Sequence, residues 1–156
     1  NSDAAQTKLE VLCAASEHCS SEILTKLHGW GIHGAAASAI IDSLAKGRFV
    51  DDERFAHAFV VDKYRFARWG RIKIRAALYA KKIPTWMIDE AMDEIDDTEY
   101  ADNLMQLLRA KRKALREEAS TYEGRTKIFR SGASRGYELP LIASLIRDTR
   151  LRPPAH

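Results

Sequence analysis

Apolar residues along this chain recur at three- and four-residue intervals, and runs that alternate apolar with polar are scarce. That spacing predicts helices throughout and no sheet. The readings fall at about Ala4–Ser16, Glu22–His28, Gly34–Lys46, 52–67, Arg71–Lys81, 84–95 and 97–118, then one from about Tyr122, and Leu139–Thr149. Residues 1–3 and the tail after 149 are expected to be loose. Ser20 or Ser21, Asp51 or Asp52, and Asp96 with Glu99 stand where a side-chain oxygen can satisfy free N–H groups of a first turn. Gly29, Gly31 and Gly47 stand where helices stop. Gly132 and Gly136 weaken the eighth helix.

The same apolar pattern returns three times. Ile23, Leu27 and Ile32 are spaced four and five apart, as are Ile74, Leu78 and Ile83, and again Ile128, Gly132 and Tyr137. Each trio is followed by a helix with its own inward stripe: Ala37, Ile41 and Leu44, then Ile88, Met92 and Ile95, then Ile142 and Ile146. A fixed period of this length is the mark of a repeat architecture. The expected fold is all-α, three tandem three-helix repeats over 4–50, 51–97 and 98–149 with a flexible tail at 150–156. Units this small need neighbours for stability, which predicts an elongated, curved array.

Charge alters the picture through its placement. The net charge of the 156 residues is +3, but residues 1–97 hold 13 basic against 15 acidic side chains, and 98–156 hold 12 against 7. After Asp62, the stretch DKYRFARWGRIKIRAALYAKK carries Lys63, Arg65, Arg68, Arg71, Lys73, Arg75, Lys81 and Lys82 with no acid among them. Arg109, Arg112, Lys113 and Arg116 recur at i, i+3, i+4 and i+7, one face of a helix, while Lys111 points elsewhere. Arg125, Lys127 and Arg130, with Arg135, form a looser third group. Cations distributed in this way fit an extended anionic partner and salt-sensitive binding. Phe66 and Trp69 fall among them, where base stacking and core packing are both open. Trp30 and Trp86 are read as packing.

Other chemistry is thin. Cys13 and Cys19, even with His18, lack metal-ligand spacing and read as small semi-buried side chains. Asp51, Asp52 and Glu53 begin a helix, so they read as capping rather than as an acid/base or metal cluster. The histidines at 18, 28, 33, 57 and 156 form no nucleophile or ligand pairing. No enzyme activity and no cofactor are expected. No apolar run is long enough to span a membrane, and the start lacks the pattern of a signal peptide, so the expected location is the cytoplasm.

GRFVDDERFAHAFV followed by KYRFARWGRIKIRAALYAKKI resembles the middle repeat of the RecX family, bacterial regulators of the RecA recombinase. EHCSSEILTKLHGWGI is similar to the first repeat, and the long basic helix with GRTKIFRSGASRGYELPLIASLI resembles the third. The resemblance covers about residues 5–148. It departs at SGAS, residues 131–134, where the family usually keeps an aliphatic helical run. The resemblance implies tandem three-helix repeats, core packing as the role of Phe66 and Trp69, and no catalytic residue or cofactor. It also implies binding along the groove of RecA–single-stranded DNA filaments, limiting ATPase, strand exchange and co-protease activity in DNA repair, homologous recombination and the SOS response. The partners implied are the RecA filament and single-stranded DNA, with duplex DNA as a further option, and a monomer is the expected state. The alternatives are a helix-turn-helix-like regulator of duplex DNA and a helical-repeat scaffold that ignores nucleic acid.

Overall fold

The computed structural model describes residues 1–148. The proposed tail at 150–156 and the last residue of the ninth predicted helix, Thr149, lie outside the described residues. Among those described there are nine α-helices, one short 3-10 helix and no strand. They are α1 (Ser2–Ala15), α2 (Ser20–Gly29), α3 (Gly34–Lys46), α4 (Asp52–Arg65), α5 (Arg71–Ala80), α6 (Thr85–Met92), α7 (Asp97–Leu115), the 3-10 helix Arg116–Ser120, α8 (Tyr122–Ser134) and α9 (Leu139–Ile146).

The repeat spacing has a backbone cause. In all three trios the last member donates its N–H to the carbonyl of the middle member: Ile32 to Leu27 at 2.9 Å, Ile83 to Leu78 at 3.2 Å, and Tyr137 to Gly132 at 3.2 Å. The preceding residue donates three residues back in each case, Gly31 to His28, Lys82 to Tyr79 and Gly136 to Ala133. It also has positive φ in each: 78° at Gly31, 62° at Lys82 and 91° at Gly136. These are Schellman stops, which satisfy the last carbonyls of a helix while the closing apolar side chain folds back onto the same helix. The five-residue step is therefore the length of a helix stop, and the four-residue step is one helical turn.

Two compact units are distinguished, residues 1–58 with 78–91, and residues 59–77 with 92–148 among those described. In the first, Ala5, Leu9, Ile23, Leu27, Ala37, Ile40, Leu44 and Val50 form a buried cluster. Burying one such Leu or Ile contributes roughly 1.5–3 kcal/mol. In the second, Val60, Tyr64, Ile74, Tyr100, Leu104, Leu108, Ile128, Tyr137 and Ile142 are all buried.

Local starts differ from the sequence expectations at α1 and α2; α2 is capped at Cys19, whose N–H donates to Glu22 at 3.1 Å, and not at Ser20 or Ser21. Residues 1–3 are not loose: Asn1 caps α1, its Oδ1 accepting from the Asp3 N–H at 2.8 Å, and the helix begins at Ser2. Of the two aspartates ahead of α4, Asp51 accepts from the Arg54 N–H at 3.0 Å. Asp52 instead accepts from the Ser20 N–H at 2.8 Å, at the first turn of α2. Asp96 caps α7 through the Glu99 N–H, as its position predicts.

Candidate nucleic-acid interface

The central basic stretch gains acids that its own sequence does not contain. Arg65 Nε donates to Glu99 at 3.0 Å. Arg71 bonds Asp97 at 2.6 Å and Glu138 at 3.1 Å, and its guanidinium lies 3.9 Å from the Tyr100 ring centroid. The Tyr100 hydroxyl donates to Glu138 and accepts from the Arg71 N–H. Burial works against the charged Arg71, but the Glu138 hydrogen bond and the charges of Glu138 and Asp97 hold its pKa above that of ordinary arginine. Burial and donation to Glu138 push the Tyr100 phenol well above the usual tyrosine range. Burial likewise pushes Tyr137 up to about 12.

The remaining central cations divide by environment. Lys63 and Lys73 sit over the Trp69 ring, 4.9 and 4.4 Å from its centroid, and Lys63 also lies 3.5 Å from Asp62. Trp69 is thus half-buried between two ammonium groups and meets Phe59 edge-on. Arg68, at φ 56°, donates to the Gln106 side chain at 2.6 Å. Arg75 is exposed. In the first unit Lys81 donates to Glu22 at 2.9 Å, whereas Lys82 is exposed at positive φ. Burial alone would raise the Glu22 carboxyl; hydrogen bonds from Lys81 and the Cys19 N–H, with the charge of Lys81, hold it below its ordinary value.

The stripe on α7 is less uniform than its spacing implies. Arg109 and Lys113 are exposed. Arg112 is turned inward, with Nη1 buried and without a hydrogen-bond partner among the described residues. Arg116 lies beyond the helix, which ends at Leu115, and takes φ 54° and ψ −125°. Lys111, set aside on spacing, instead lines a groove with α8.

That groove has a volume of about 440 Å³ and is lined by Leu107 and Lys111 of α7, by Lys127, Arg130, Ser131 and Ser134 of α8, and by Arg135. Lys127 donates to Glu118 at 2.6 Å, and Arg125 is held by the Ser120 carbonyl. Arg135 Nη1 donates to the Ala67 carbonyl at 3.0 Å. Lys111 and Arg130 have no hydrogen-bond or ion-pair partner among the described residues. Helical spacing of 127, 130, 131 and 134 was the available signal for the α8 wall. Ser131 and Ser134 carry no charge and so give no sequence signal of their own.

Three aromatic expectations are corrected. Phe66 is 78% exposed, Trp86 is 56% exposed and Trp30 is 42% exposed, so none is a core residue. Phe66 follows the last helical residue of α4, where the chain turns toward Gly70 and the side chain has no facing element to pack on. Among the described residues no group of three His, Cys, Asp or Glu is placed to hold a metal, and no helix is long and apolar enough to cross a membrane.

Residues 51–92 match the family model described as RecX, second three-helix domain. A regulatory protein RecX of Clostridium botulinum (strain Alaska E43 / Type E3) is 30% identical over 128 residues, 81% of this chain and 59% of the relative. One of Chlorobaculum tepidum is 26% identical over 136 residues, 87% of this chain and 82% of the relative. The chain thus spans about three fifths of the length of the first of these. A crystal structure of RecX from Lactobacillus salivarius superposes with a TM-score of 0.83 at 18% identity, covering 97% of both chains, which establishes a shared fold.

Proposed function

The chain belongs to the RecX family, and from that premise we propose that it is an inhibitory modulator of the RecA recombinase. It binds along the groove of RecA–single-stranded DNA filaments and limits their ATPase, strand exchange and co-protease activity. Its three repeats, 4–50, 51–97 and 98–149, present cations to the filament one after another. It works in the cytoplasm as a monomer and catalyses no reaction itself.

The observation that carries this reading is the group of unpaired cations on and just after α7 and on α8. Lys111, Lys113, Arg116 and Arg130 have no hydrogen-bond or ion-pair partner among the described residues. Cations left unneutralised by their own fold keep their electrostatic attraction for an external polyanion and release its counterions on binding. By contrast Arg65, Arg71 and Lys81 spend much of theirs on Glu99, on Asp97 and Glu138, and on Glu22.

The deciding experiment is ATP hydrolysis by the cognate RecA on single-stranded DNA, with this protein titrated in at two salt concentrations. Substoichiometric loss of hydrolysis that weakens with salt is expected. Unchanged hydrolysis at excess of folded protein overturns the reading and leaves duplex binding or scaffolding.

A further inference from the structure

We propose that the groove between α7 and α8 is a track for the sugar-phosphate backbone of single-stranded nucleic acid. This deepens the regulatory reading and rests on it. The groove joins Lys111 on one wall to Lys127, Arg130 and Arg135 on the other. One acid, Glu118, engages Lys127, and Arg135 is held in place by a backbone carbonyl, which leaves Lys111 and Arg130 to meet an anion.

The lining selects the backbone over other anionic partners. Leu107 is its one apolar side chain, and no aromatic lines it. An acidic peptide could pair its carboxylates with the same cations but would find only Leu107 for its apolar side chains, and a base would find no ring to stack on. Phosphates spaced along a strand require only cations, supplied here from both walls, and arginine matches phosphate geometry.

The short side chains of α8 keep the groove open. The Ser131 hydroxyl donates to the Ile128 carbonyl at 2.6 Å and that of Ser134 to the Ser131 carbonyl at 3.3 Å, so both fold back on their own helix. Between them Gly132 lets α8 approach closely, because a Cβ there would sit 3.0 Å from Ile142 Cδ1 and 3.2 Å from Leu104 Cδ1. Leucines at 131 and 134 would fill the space.

Fluorescence anisotropy of a labelled oligo-dT, measured with the whole chain over a range of salt, tests the proposal. Two variants act by different means: Lys111→Gln with Arg130→Gln removes charge, and Ser131→Leu with Ser134→Leu fills the groove at constant charge. The first is expected to weaken binding about tenfold or more and to flatten the salt slope by about 1.4, at ~0.7 per phosphate contact. The second is expected to weaken binding about fivefold with helicity retained. A control, Lys26→Gln with Lys46→Gln, removes two charges from exposed positions in the first unit. The groove is overturned by equal losses in control and charge variant, by wild-type affinity in the leucine variant, or by equally potent displacement with polyglutamate. It is also overturned if the wild type ignores oligo-dT yet still inhibits RecA hydrolysis in parallel, a result that leaves the regulatory reading standing. Wild type inactive in both assays removes that reading as well.

Discussion

Gly70 and Gly136 bring two stretches of backbone into direct contact. The Gly70 N–H donates to the Arg135 carbonyl at 2.7 Å and the Ile72 N–H to the Gly136 carbonyl at 3.0 Å. A Cβ on Gly70 would overlap the Gly136 carbonyl, and one on Gly136 would overlap Lys73 and would also have to accept φ 91°. Gly70→Ala and Gly136→Ala are each expected to lower the free energy of urea unfolding by about 2–3 kcal/mol, in the range of overpacked interiors. Gly29→Ala, with open space at its Cβ, is expected to be neutral or slightly stabilising. Equal effects at all three positions would show that the close approach does not constrain the chain.

Lys82 holds the position that glycine holds in the stops of the other two trios. A left-handed conformation costs a residue with a Cβ about 1–2 kcal/mol, part of which is regained because glycine is freer when unfolded. Lys82→Gly is therefore expected to raise the unfolding free energy by about 0.5–1 kcal/mol. A lowered urea midpoint would mean that the Lys82 side chain makes a contact worth more than the strain.

The trios, the caps at Asp51 and Asp96 and the stop at Gly31 are local, set by residues within about ten positions of each other, so spacing alone exposes them. Gly70 reads from sequence as a simple turn. Its true constraint comes from Arg135 and Gly136, more than sixty positions away. The charges behave the same way. A stretch free of acids reads as an open cationic face, yet Arg71 meets Asp97 and Glu138 because folding brings them there. Conversely, Lys111 lies off the i, i+3, i+4, i+7 stripe that drew notice and gains its place from a second helix. Phe66 is assigned to the core by the family architecture, and only the fold shows that nothing faces it.

Arg71 is expected to act as a tie within its unit rather than as a clean binding probe. Arg71→Gln breaks contacts to Asp97, Glu138 and the Tyr100 ring and should cost about 1–2 kcal/mol, less than a fully buried pair because the side chain keeps 30% exposure. Lys113→Gln should change stability by less than about 0.5 kcal/mol while weakening filament inhibition. Thermal or urea melts beside the RecA assay separate the two. It follows that reversing Arg68, Arg71 and Arg75 together should be read only after helicity is checked. A fully stable Arg71→Gln would return Arg71 to the candidate interface.

Alkaline pH should loosen the second unit. Tyr100 and Tyr137 hold their protons more tightly when folded, Tyr137 up to about 12, than in the unfolded chain near 10. Between those values the folded state binds more protons than the unfolded state, so stability falls as pH rises. It is fully present below about pH 10 and lost as pH passes through the folded values. The urea midpoint should be flat from pH 8 to 9.5 and drop beyond 10. Tyr137→Phe loses the hydrogen bond to the Arg68 carbonyl, at 2.9 Å, so it should start about 1 kcal/mol lower and decline less steeply. An undiminished slope in that variant would remove Tyr137 as a source.

Phe66 is the clearest exposed aromatic beside cations, with Arg65 before it and Arg68 shortly after. Because the ring packs on little, Phe66→Ala should leave stability within about 0.5 kcal/mol. Stacking of a base on such a ring is worth about 1–3 kcal/mol, and it depends on the base rather than on the phosphate. Phe66→Ala should therefore weaken binding to oligo-dT by roughly five- to a hundredfold. It should leave binding to an abasic oligonucleotide of equal length, which keeps the phosphates, unchanged. The two substrates divide the work between aromatic and groove: Lys111→Gln with Arg130→Gln should weaken both alike. If Phe66→Ala weakens neither while filament inhibition falls, the ring meets protein in the filament. If it changes nothing at all, its exposure serves no contact in this pathway.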